Sequence, residues 1–442
     1  MTLHAGAAVR DISPDKPTAL YGYPHVERVS TGIHDPLLVS VLWLDQAGSR
    51  LVMVALDLLM LEPTMARAVR RRVAAALRIP ESGIFISCTH THSGPVTMRF
   101  LGWRDDLRSP LPDPAYLDWV CDQVVEAAEA AMASAVTAEV AWTSADATGV
   151  GGNRLKAGGV TDPECGILAV RHAKTRTLMA VSLIYGMHPT VLHEDSTLIS
   201  SDFPHYARLS LQEQFGDGVT VLYHTAPAGN QSPRFFVKAQ TFAEAERLGR
   251  QLGTASVAAL RGIGEADWSA APRLDSALES VVLPRRQLQP LAAAHAILDK
   301  YRRTHERLKQ EGAPNPEVRT AECAVFGAEV NAALAKAEAR GDIDRLLAQY
   351  LPIEVQVLRI GKVDVVGLPG ELFTEYALAI KQGAGTRIFV VSLVNGELQG
   401  YVVTPEAAAA GGYEATNAMF APESGGILVK TALALVTRLT GG

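Results

Sequence analysis

The sequence predicts an α/β fold in which central mixed β-sheets are covered by helices. Short apolar runs without internal breakers recur along the chain, and such runs are typical of buried strands. Longer amphipathic segments alternate with them and are typical of helices. Of the 442 residues, 48% are hydrophobic and 20% are charged, which is the balance of a folded globular protein and excludes a disordered chain.

The elements follow from these patterns in chain order. Strands are expected over 5–12, 37–45, 51–57, 137–143, 166–172, 178–185, 219–223, 353–358, 363–368 and 387–393, with another beginning at Ile84. Helices are expected over 62–77, 114–133, 242–260, 290–312, 317–349 and 427–439. We expect a single catalytic domain over 1–442. The shift to Ala, Glu, Lys, Arg and Leu makes 286–350 a helical insertion or cap within it.

The charge and cysteine content limit the classes of partner and compartment. A formal net charge of -6 argues against a nucleic acid as the main partner. The four cysteines form no Cys-x-x-Cys pair, which favours reduced thiols over disulfides or a zinc knuckle. The first residues lack the pattern of a signal peptide, and no apolar run is long enough to span a bilayer. We therefore expect a cytoplasmic protein without stable membrane insertion, and a homo-oligomer remains possible.

Several apolar strands end in a group that could take part in chemistry. These groups are Asp57, His90 with His92, His188, His224, Glu371 and Tyr401. Loops at the carboxyl ends of strands surround a common crevice in open α/β sheets. The repetition therefore predicts an active site assembled from distant segments.

The tract Thr89-His90-Thr91-His92-Ser93-Gly94-Pro95 is the most informative stretch. If extended geometry continued past the strand, alternation would turn His90 and His92 to the same side. Such a pair suits a metal site or a general acid/base pair, and it also suits histidines that only bond the backbone. The chain has no His-Glu-x-x-His motif, so spacing alone leaves these readings open.

Several separated motifs occur along the chain: Tyr21-Gly22-Tyr23, Gly32-Ile33-His34, Leu56-Asp57-Leu58, the tract from Thr89 to Pro95, Asn153-Arg154, His188-Pro189-Thr190, Ser201-Asp202, Pro369-Gly370-Glu371, Tyr401-Val402-Val403-Thr404 and Tyr413-Glu414. With these motifs the chain resembles the catalytic domain of the neutral (non-lysosomal) ceramidases, which are zinc amidases. These motifs follow the family's order and are spread over nearly the full length of the chain. The tract from Thr89 to Pro95 is the most specific of them.

The resemblance implies a role for each matching residue. The zinc ligands would be His90, His188, Glu371 and Tyr401. Groups on the substrate side would be Gly22, His92, Arg154 and Tyr413; His92 could stabilise the oxyanion or protonate the leaving amine, while Arg154 and Tyr413 orient the substrate. His34, Asp57 and Asp202 would have structural roles or accept from the metal-bound histidines. Zinc at this site would lower the pKa of a bound water and produce the nucleophile.

This chain also departs from the family pattern. The family's Gly-Asp-x-Ser-Pro-Asn tract is replaced by Gly229-Asn230-Gln231-Ser232-Pro233-Arg234, and the family's secretion signal and C-terminal β-sandwich are not found. We therefore expect a zinc-dependent amidohydrolase that acts on a small N-acyl compound more soluble than ceramide. Alternatives are a ceramidase proper, an esterase or lactonase with the same zinc site, a serine hydrolase using Ser93 or Ser232, and a non-catalytic binding protein.

Overall fold

The computed structural model describes residues 2–23, 25–104 and 109–441. We number the strands in chain order: β1 His4–Asp11, β2 Gly32–Ile33, β3 Leu38–Gln46, β4 Ser49–Leu56, β5 Ile84–Cys88, β6 Val136–Asp146, β7 Gly152–Asn153, β8 Glu164–His172, β9 Leu178–Tyr185, β10 Leu198–Ile199, β11 Thr220–Thr225, β12 Gln231–Ser232, β13 Leu274–Val281, β14 Ile353–Ile360, β15 Val363–Gly367, β16 Glu371–Leu372, β17 Arg387–Val391 and β18 Tyr401–Val402. The α-helices are α1 Pro63–Leu77, α2 Pro114–Ala133, α3 Phe203–Phe215, α4 Phe242–Arg261, α5 Leu291–Gln310, α6 Asn315–Ala339, α7 Ile343–Leu347, α8 Thr374–Gly383, α9 Pro405–Ala410, α10 Tyr413–Thr416 and α11 Ser424–Thr440.

Two sheets form the centre of the molecule. The larger has eight strands in the order β11-β9-β8-β6-β1-β3-β4-β5, and the smaller has four in the order β13-β14-β15-β17. Most neighbours are antiparallel, but β4–β5, β9–β11 and β15–β17 are parallel, so both sheets are mixed. This observation confirms the predicted α/β class with mixed sheets.

The two sheets pack against each other through one apolar face of each. Met53 and Phe85 from the larger sheet belong to the same buried cluster as Leu358, Val365 and Phe389 from the smaller. The other face of the larger sheet is covered by α1 and α2 at one end and by α3 and α4 at the other. Helices α8 and α11 lie on the smaller sheet. Layers of this kind let each element bury its apolar face.

Several elements differ from the sequence-based expectation. The expected helix over 317–349 ends at Ala339, because Gly341 adopts a left-handed backbone with φ of 73° and α7 starts a new axis. Strand β13 was not expected. It is an edge strand with polar residues, so its burial pattern is weak. Helices α3 and α8 were also missed. The expected pair of helices near 290–349 is present as α5 and α6, which pack together around Ala294 and Ala328.

No helix within the described ranges combines the length and the hydropathy needed to cross a membrane.

Candidate metal centre and active-site cleft

His90 lies just beyond β5, in a sharp turn of the backbone that sets the orientation of its ring. The strand ends at Cys88, and His90 has a left-handed backbone with φ of 69°. The extended geometry expected through His92 therefore does not continue. The two rings still lie close, at 5.0 Å between centroids and nearly perpendicular. The Nδ1 of His90 donates to the carbonyl oxygen of Leu59 at 2.8 Å, so the neutral ring has its lone pair at Nε2.

His188 follows β9 and is oriented by the loop after β11. Its Nδ1 lies 2.8 Å from the carbonyl oxygen of Ala228 and 3.0 Å from that of Gln231. Because a carbonyl only accepts hydrogen bonds, Nδ1 bears the proton and Nε2 has a free lone pair. Burial lowers the pKa of His188 to about 4, and the nearby charge of Arg154 acts in the same direction. The ring is therefore neutral near pH 7.

Glu371 brings a carboxylate to the same point. It begins β16, whose parallel partner β18 begins at Tyr401, so Glu371 and Tyr401 are paired in register. One Glu371 oxygen, Oε2, lies 3.2 Å from Nε2 of His90 and 3.0 Å from Nε2 of His188. Burial raises the pKa of Glu371, but the two histidines lower it by more, so the pKa lies well below its ordinary value.

These three atoms form what we call the acceptor cluster: His90 Nε2, His188 Nε2 and Glu371 Oε2. When both rings are neutral with the proton on Nδ1, two lone pairs face an ionised carboxylate across hydrogen-bonding distance. Such an arrangement is repulsive unless a proton or a cation lies among the atoms. Imidazole nitrogen and carboxylate oxygen are the donor types that zinc prefers, so these residues fit a metal ion.

His92 stands beside the cluster. Its Nδ1 lies 3.0 Å from the carbonyl oxygen of Gly22, and its buried Nε2 has no hydrogen-bond partner among the described residues. Burial lowers the pKa of His92 well below its ordinary value, and His90 and His188 act in the same direction. The neutral ring therefore directs a lone pair into the site. His90, His92 and His188 also form a group whose candidate ligand atoms lie within 4.8 Å of one another.

Gly22 has a positional reason to be glycine. Its φ is 101°, and a Cβ at this position would lie 2.5 Å from the Cγ and Nδ1 atoms of His92. The residue lines the site, and its carbonyl also fixes the tautomer of His92. A larger residue would displace that ring.

Arg154, Tyr401 and Tyr413 form the opposite wall. The Arg154 guanidinium carbon lies 5.2 Å from the Tyr401 ring centroid and 5.8 Å from that of Tyr413. Its Nε donates to Glu414 Oε1 at 2.7 Å, and both side chains are buried. Burial raises the pKa of the hydroxyls of Tyr401 and Tyr413, and the Glu371 carboxylate adds to both shifts. Both tyrosines are therefore neutral phenols when no metal is bound.

Two cavities meet at this wall. A cleft of about 620 Å³, which we call the polar cleft because several charged side chains line it, includes His92, Arg154, Tyr401 and Tyr413 and is bordered by the first half of α6. A small pocket of about 40 Å³ is lined by His90, His92, Glu371 and Tyr401. Its remaining lining is mainly apolar: Leu59, Met60, Phe100, Leu101, Trp103, Val330, Leu334 and Met419.

Other candidates from the sequence lie elsewhere or have other partners. Asp57 receives hydrogen bonds from Arg208 and from the amide of Leu38, while Asp202 caps α3. Neither accepts from His90 or His188, whose Nδ1 atoms donate to backbone carbonyls. Of the two roles expected for these carboxylates, the contacts agree with the structural one. His34 stacks on Phe242 at 3.7 Å.

Ser93 and Ser232, the candidate nucleophiles of a serine hydrolase, have no histidine as hydrogen-bond partner among the described residues. Among the described residues, the hydrogen bond between a serine and a histidine joins Ser87 to His224 at 2.7 Å. Both residues are buried, and neither lines the cleft or the small pocket. No histidine bonds to Ser93 or Ser232 within the described parts of the chain.

Sequence reasoning missed the groups that fix the histidine tautomers. They are the carbonyl oxygens of Leu59, Ala228 and Gln231. A backbone carbonyl does not depend on residue type, so no motif could reveal these contacts. The tract Gly229–Arg234 thereby gains a structural role, since it also binds the amide of Arg154 through the carbonyl of Asn230 at 2.9 Å.

The comparisons with known proteins agree with this architecture. A search of curated protein sequences gives no match. Two similar solved structures are described as "Ceramidase complexed with C2" and as neutral ceramidase from Pseudomonas aeruginosa. Each has a TM-score of 0.76 at 19% identity and covers 100% of this chain, with 76% of the first and 75% of the second chain covered. The family model "Neutral/alkaline non-lysosomal ceramidase, N-terminal" matches residues 4–237. The match covers more than half of this chain, and the chain therefore belongs to the neutral/alkaline non-lysosomal ceramidase family.

Proposed function

We propose that this ceramidase-family hydrolase is a zinc-dependent amidase that cleaves the C–N bond of an N-acyl compound with a short acyl group. The acceptor cluster is the observation on which the proposal depends. Three candidate ligand atoms from distant segments converge, with Glu371 Oε2 3.2 Å from His90 Nε2 and 3.0 Å from His188 Nε2. Among the described residues, no other donor bonds to any of the three. We assign His90, His188, Glu371 and Tyr401 as the residues that hold the metal.

A bound zinc ion supplies Lewis acidity and lowers the pKa of water toward neutrality. The residues around it supply orientation and proton transfer. Because His92 holds its proton on Nδ1, its Nε2 is suited to accept a proton from the attacking water and return it to the leaving nitrogen. Direct stabilisation of the oxyanion by His92, one of the roles expected from the sequence, fits this tautomer less well. Tyr413 and Arg154 line the cleft and would orient the substrate.

The small pocket supports a short acyl group. Its volume of about 40 Å³ is room for about three water molecules, and three of the four proposed metal-binding residues, His90, Glu371 and Tyr401, line it. Helix α6 forms the far wall: Val330 lies so close to Gly102 that a Cβ on the glycine would be 2.4 Å from Cγ1 of Val330. A long acyl chain does not fit without movement of this helix. We therefore propose that α5 and α6 act as a cap that limits acyl length.

Metal removal tests the proposed reaction. The protein is treated with 1,10-phenanthroline, and acetate release from N-acetyl amides is measured before and after zinc is restored. We expect activity to disappear on chelation and return with about one zinc per chain. Activity that survives complete metal removal and reacts with a fluorophosphonate would instead support a serine hydrolase.

Acyl selectivity tests the small pocket. Val330→Ala removes two methyl groups from the wall, so kcat/KM for hexanoyl relative to acetyl substrates should rise by about tenfold, at about 0.8 kcal/mol per methylene accommodated. Val325→Ala is the matched control, because Val325 lies on the same helix but packs against α5. Equal shifts in both variants, or a wild-type preference for long-chain ceramide, would contradict the proposed pocket.

A further inference from the structure

The polar cleft contains more positive than negative side chains. Four cations line it, namely Arg154, Arg234, Lys238 and Arg319, together with the carboxylates Glu194 and Glu322. Both carboxylates contact Arg319, with oxygens 2.7 Å from its Nη1. Arg154 pairs with Glu414 outside the cleft lining. Arg234 and Lys238 therefore remain without a carboxylate partner among the described residues.

Arg234 is the more buried of these two cations. Its guanidinium contacts only neutral acceptors: Nη1 lies 3.2 Å from the carbonyl oxygen of Arg154 and 3.0 Å from Oγ1 of Thr320, while Nη2 lies 3.6 Å from Sγ of Cys323. Burial lowers the pKa of Arg234, and the charges of Arg154 and Arg319 act in the same direction; the carboxylate of Glu414, which is bonded to Arg154, opposes them without reversing the shift. Because a half-buried cation in positive surroundings is costly, an anion at this position would be stabilised.

The position of Arg234 relative to the reaction site is set by Arg154. The Arg154 side chain stacks over Tyr401 and Tyr413 near the metal-binding residues, and its carbonyl oxygen accepts from Arg234. Arg234 and Arg154 therefore line the same cleft, next to each other. The small pocket shares Tyr401 and Tyr413 with this cleft and takes the acyl group under the proposed function. The part of the substrate that reaches Arg234 is then its amine portion.

We propose that Arg234 is a specificity-determining residue that binds an anionic group, such as a carboxylate, on the amine portion of the substrate. The substrate class becomes N-acylated amino acids with a short acyl group. This inference rests on the proposed amidase function for its orientation. Arg234 also occupies the tract in which this chain departs from its family, at the last position of Gly229–Arg234.

Kinetics with paired substrates test the inference. N-Acetylglycine, N-acetyl-β-alanine and 4-acetamidobutyrate place the carboxylate at increasing distance, and each is compared with its neutral carboxamide by acetate release. At least one carboxylate should exceed its carboxamide in kcat/KM by about tenfold or more. Arg234→Gln should lower kcat/KM for that carboxylate at least about ten times more than for the carboxamide, and Arg234→Lys should retain part of the preference.

A structural role for Arg234 predicts a different pattern. Thr320→Val removes one contact between Arg234 and α6 but keeps the charge. If Arg234 only fastened α6, Arg234→Gln and Thr320→Val would lower kcat/KM for carboxylate and carboxamide equally. That result, or a wild-type enzyme that does not discriminate between the paired substrates, would overturn the inference.

Binding of the amino acid products separates this inference from the reaction itself. Glycine, β-alanine and 4-aminobutyrate have no scissile bond, so their dissociation constants can be measured by ligand-observed NMR even if no amide is hydrolysed. At least one should bind about tenfold more tightly than its carboxamide, and Arg234→Gln should remove the difference. A carboxylate held by the metal would be insensitive to that change, and such insensitivity would contradict the role of Arg234. Selective binding without turnover would instead contradict the amidase proposal alone.

Discussion

Two buried clusters of this molecule use similar residues and differ in how their polar atoms are satisfied. In the first, which we call the paired cluster, Asp35 and Asp57 receive hydrogen bonds from protein donors, including Arg208, Ser200 and the amide of Ser201. In the acceptor cluster, two histidine nitrogens and one carboxylate oxygen approach one another, and no other donor from the described parts of the chain bonds to them. We infer from the comparison that a strand-end carboxylate or histidine is a candidate functional group where the fold provides no separate hydrogen-bond donor, and a structural group where it provides one.

Removal of a histidine from the acceptor cluster should give the largest effect. We expect His90→Ala and His188→Ala each to lose bound zinc and to reduce activity on the order of 10³-fold or more, because the metal supplies several kcal/mol of transition-state stabilisation. Zinc is measured by mass spectrometry on folded protein. His34→Ala is the control, since His34 contacts Asp35 in the paired cluster and should leave the zinc content unchanged. Stoichiometric zinc in both cluster variants would refute the ligand assignment.

The paired cluster should respond in stability and not in metal content. Arg208→Leu leaves the Asp57 carboxylate buried without its ion partner, so the free energy of unfolding should fall by about 3–5 kcal/mol. Denaturant titration measures the change. Arg250→Ala removes an exposed pair with Glu213 and should cost less than about 1 kcal/mol. If Arg208→Leu stripped zinc from folded protein without a loss of stability, the division between the clusters would fail.

Substitution of His92 tests whether this residue is a metal ligand or a proton-transfer group beside the metal. If it moves protons and does not bind the metal, His92→Ala should retain zinc while kcat falls on the order of 10²-fold or more. The variant should also lose the part of the pH–rate profile that depends on His92. A zinc deficit equal to that of His90→Ala would place His92 among the ligands, as the three-histidine group also allows.

The last effect is small per pH unit and concerns the metal-free protein. Burial lowers the pKa of His188 to about 4 and that of His224 to about 3, from ordinary values of 6.5. Both groups bind protons in the unfolded chain before they do in the native one. Stability is therefore complete above about pH 6.5 and falls as the pH decreases toward 4, by up to about 1.4 kcal/mol per pH unit for each histidine. His224→Asn should remove the contribution of one histidine from this slope, and an unchanged slope would contradict the lowered pKa of His224.

Much of the fold could be predicted because its signals are local. Strand β9 and helix α2 have the bounds that their sequence patterns predict. Helix α3 was missed although Asp202, the residue before it, caps it locally, and strand β13 was missed because it is a partly exposed edge strand. Such elements do not show a clear hydrophobic period.

The residues of the candidate site could be found from strand ends and the family motifs, but their separation into clusters could not. Asp57 and His224 fit the strand-end pattern as well as His188 does. Only the structure shows that Arg208 neutralises Asp57, and that backbone carbonyls from distant loops set the lone pairs of His90 and His188. Hydrogen-bond partners far apart in sequence leave no local pattern.

The most direct test of the central claim is a zinc-edge anomalous diffraction map of the zinc-treated protein. The acceptor cluster predicts one peak per chain, about 2.0–2.2 Å from Nε2 of His90, from Nε2 of His188 and from an oxygen of Glu371. The paired cluster should show no peak. Zinc bound elsewhere, or an acceptor cluster that stays without metal at saturating zinc and is bridged by a proton, would contradict the account.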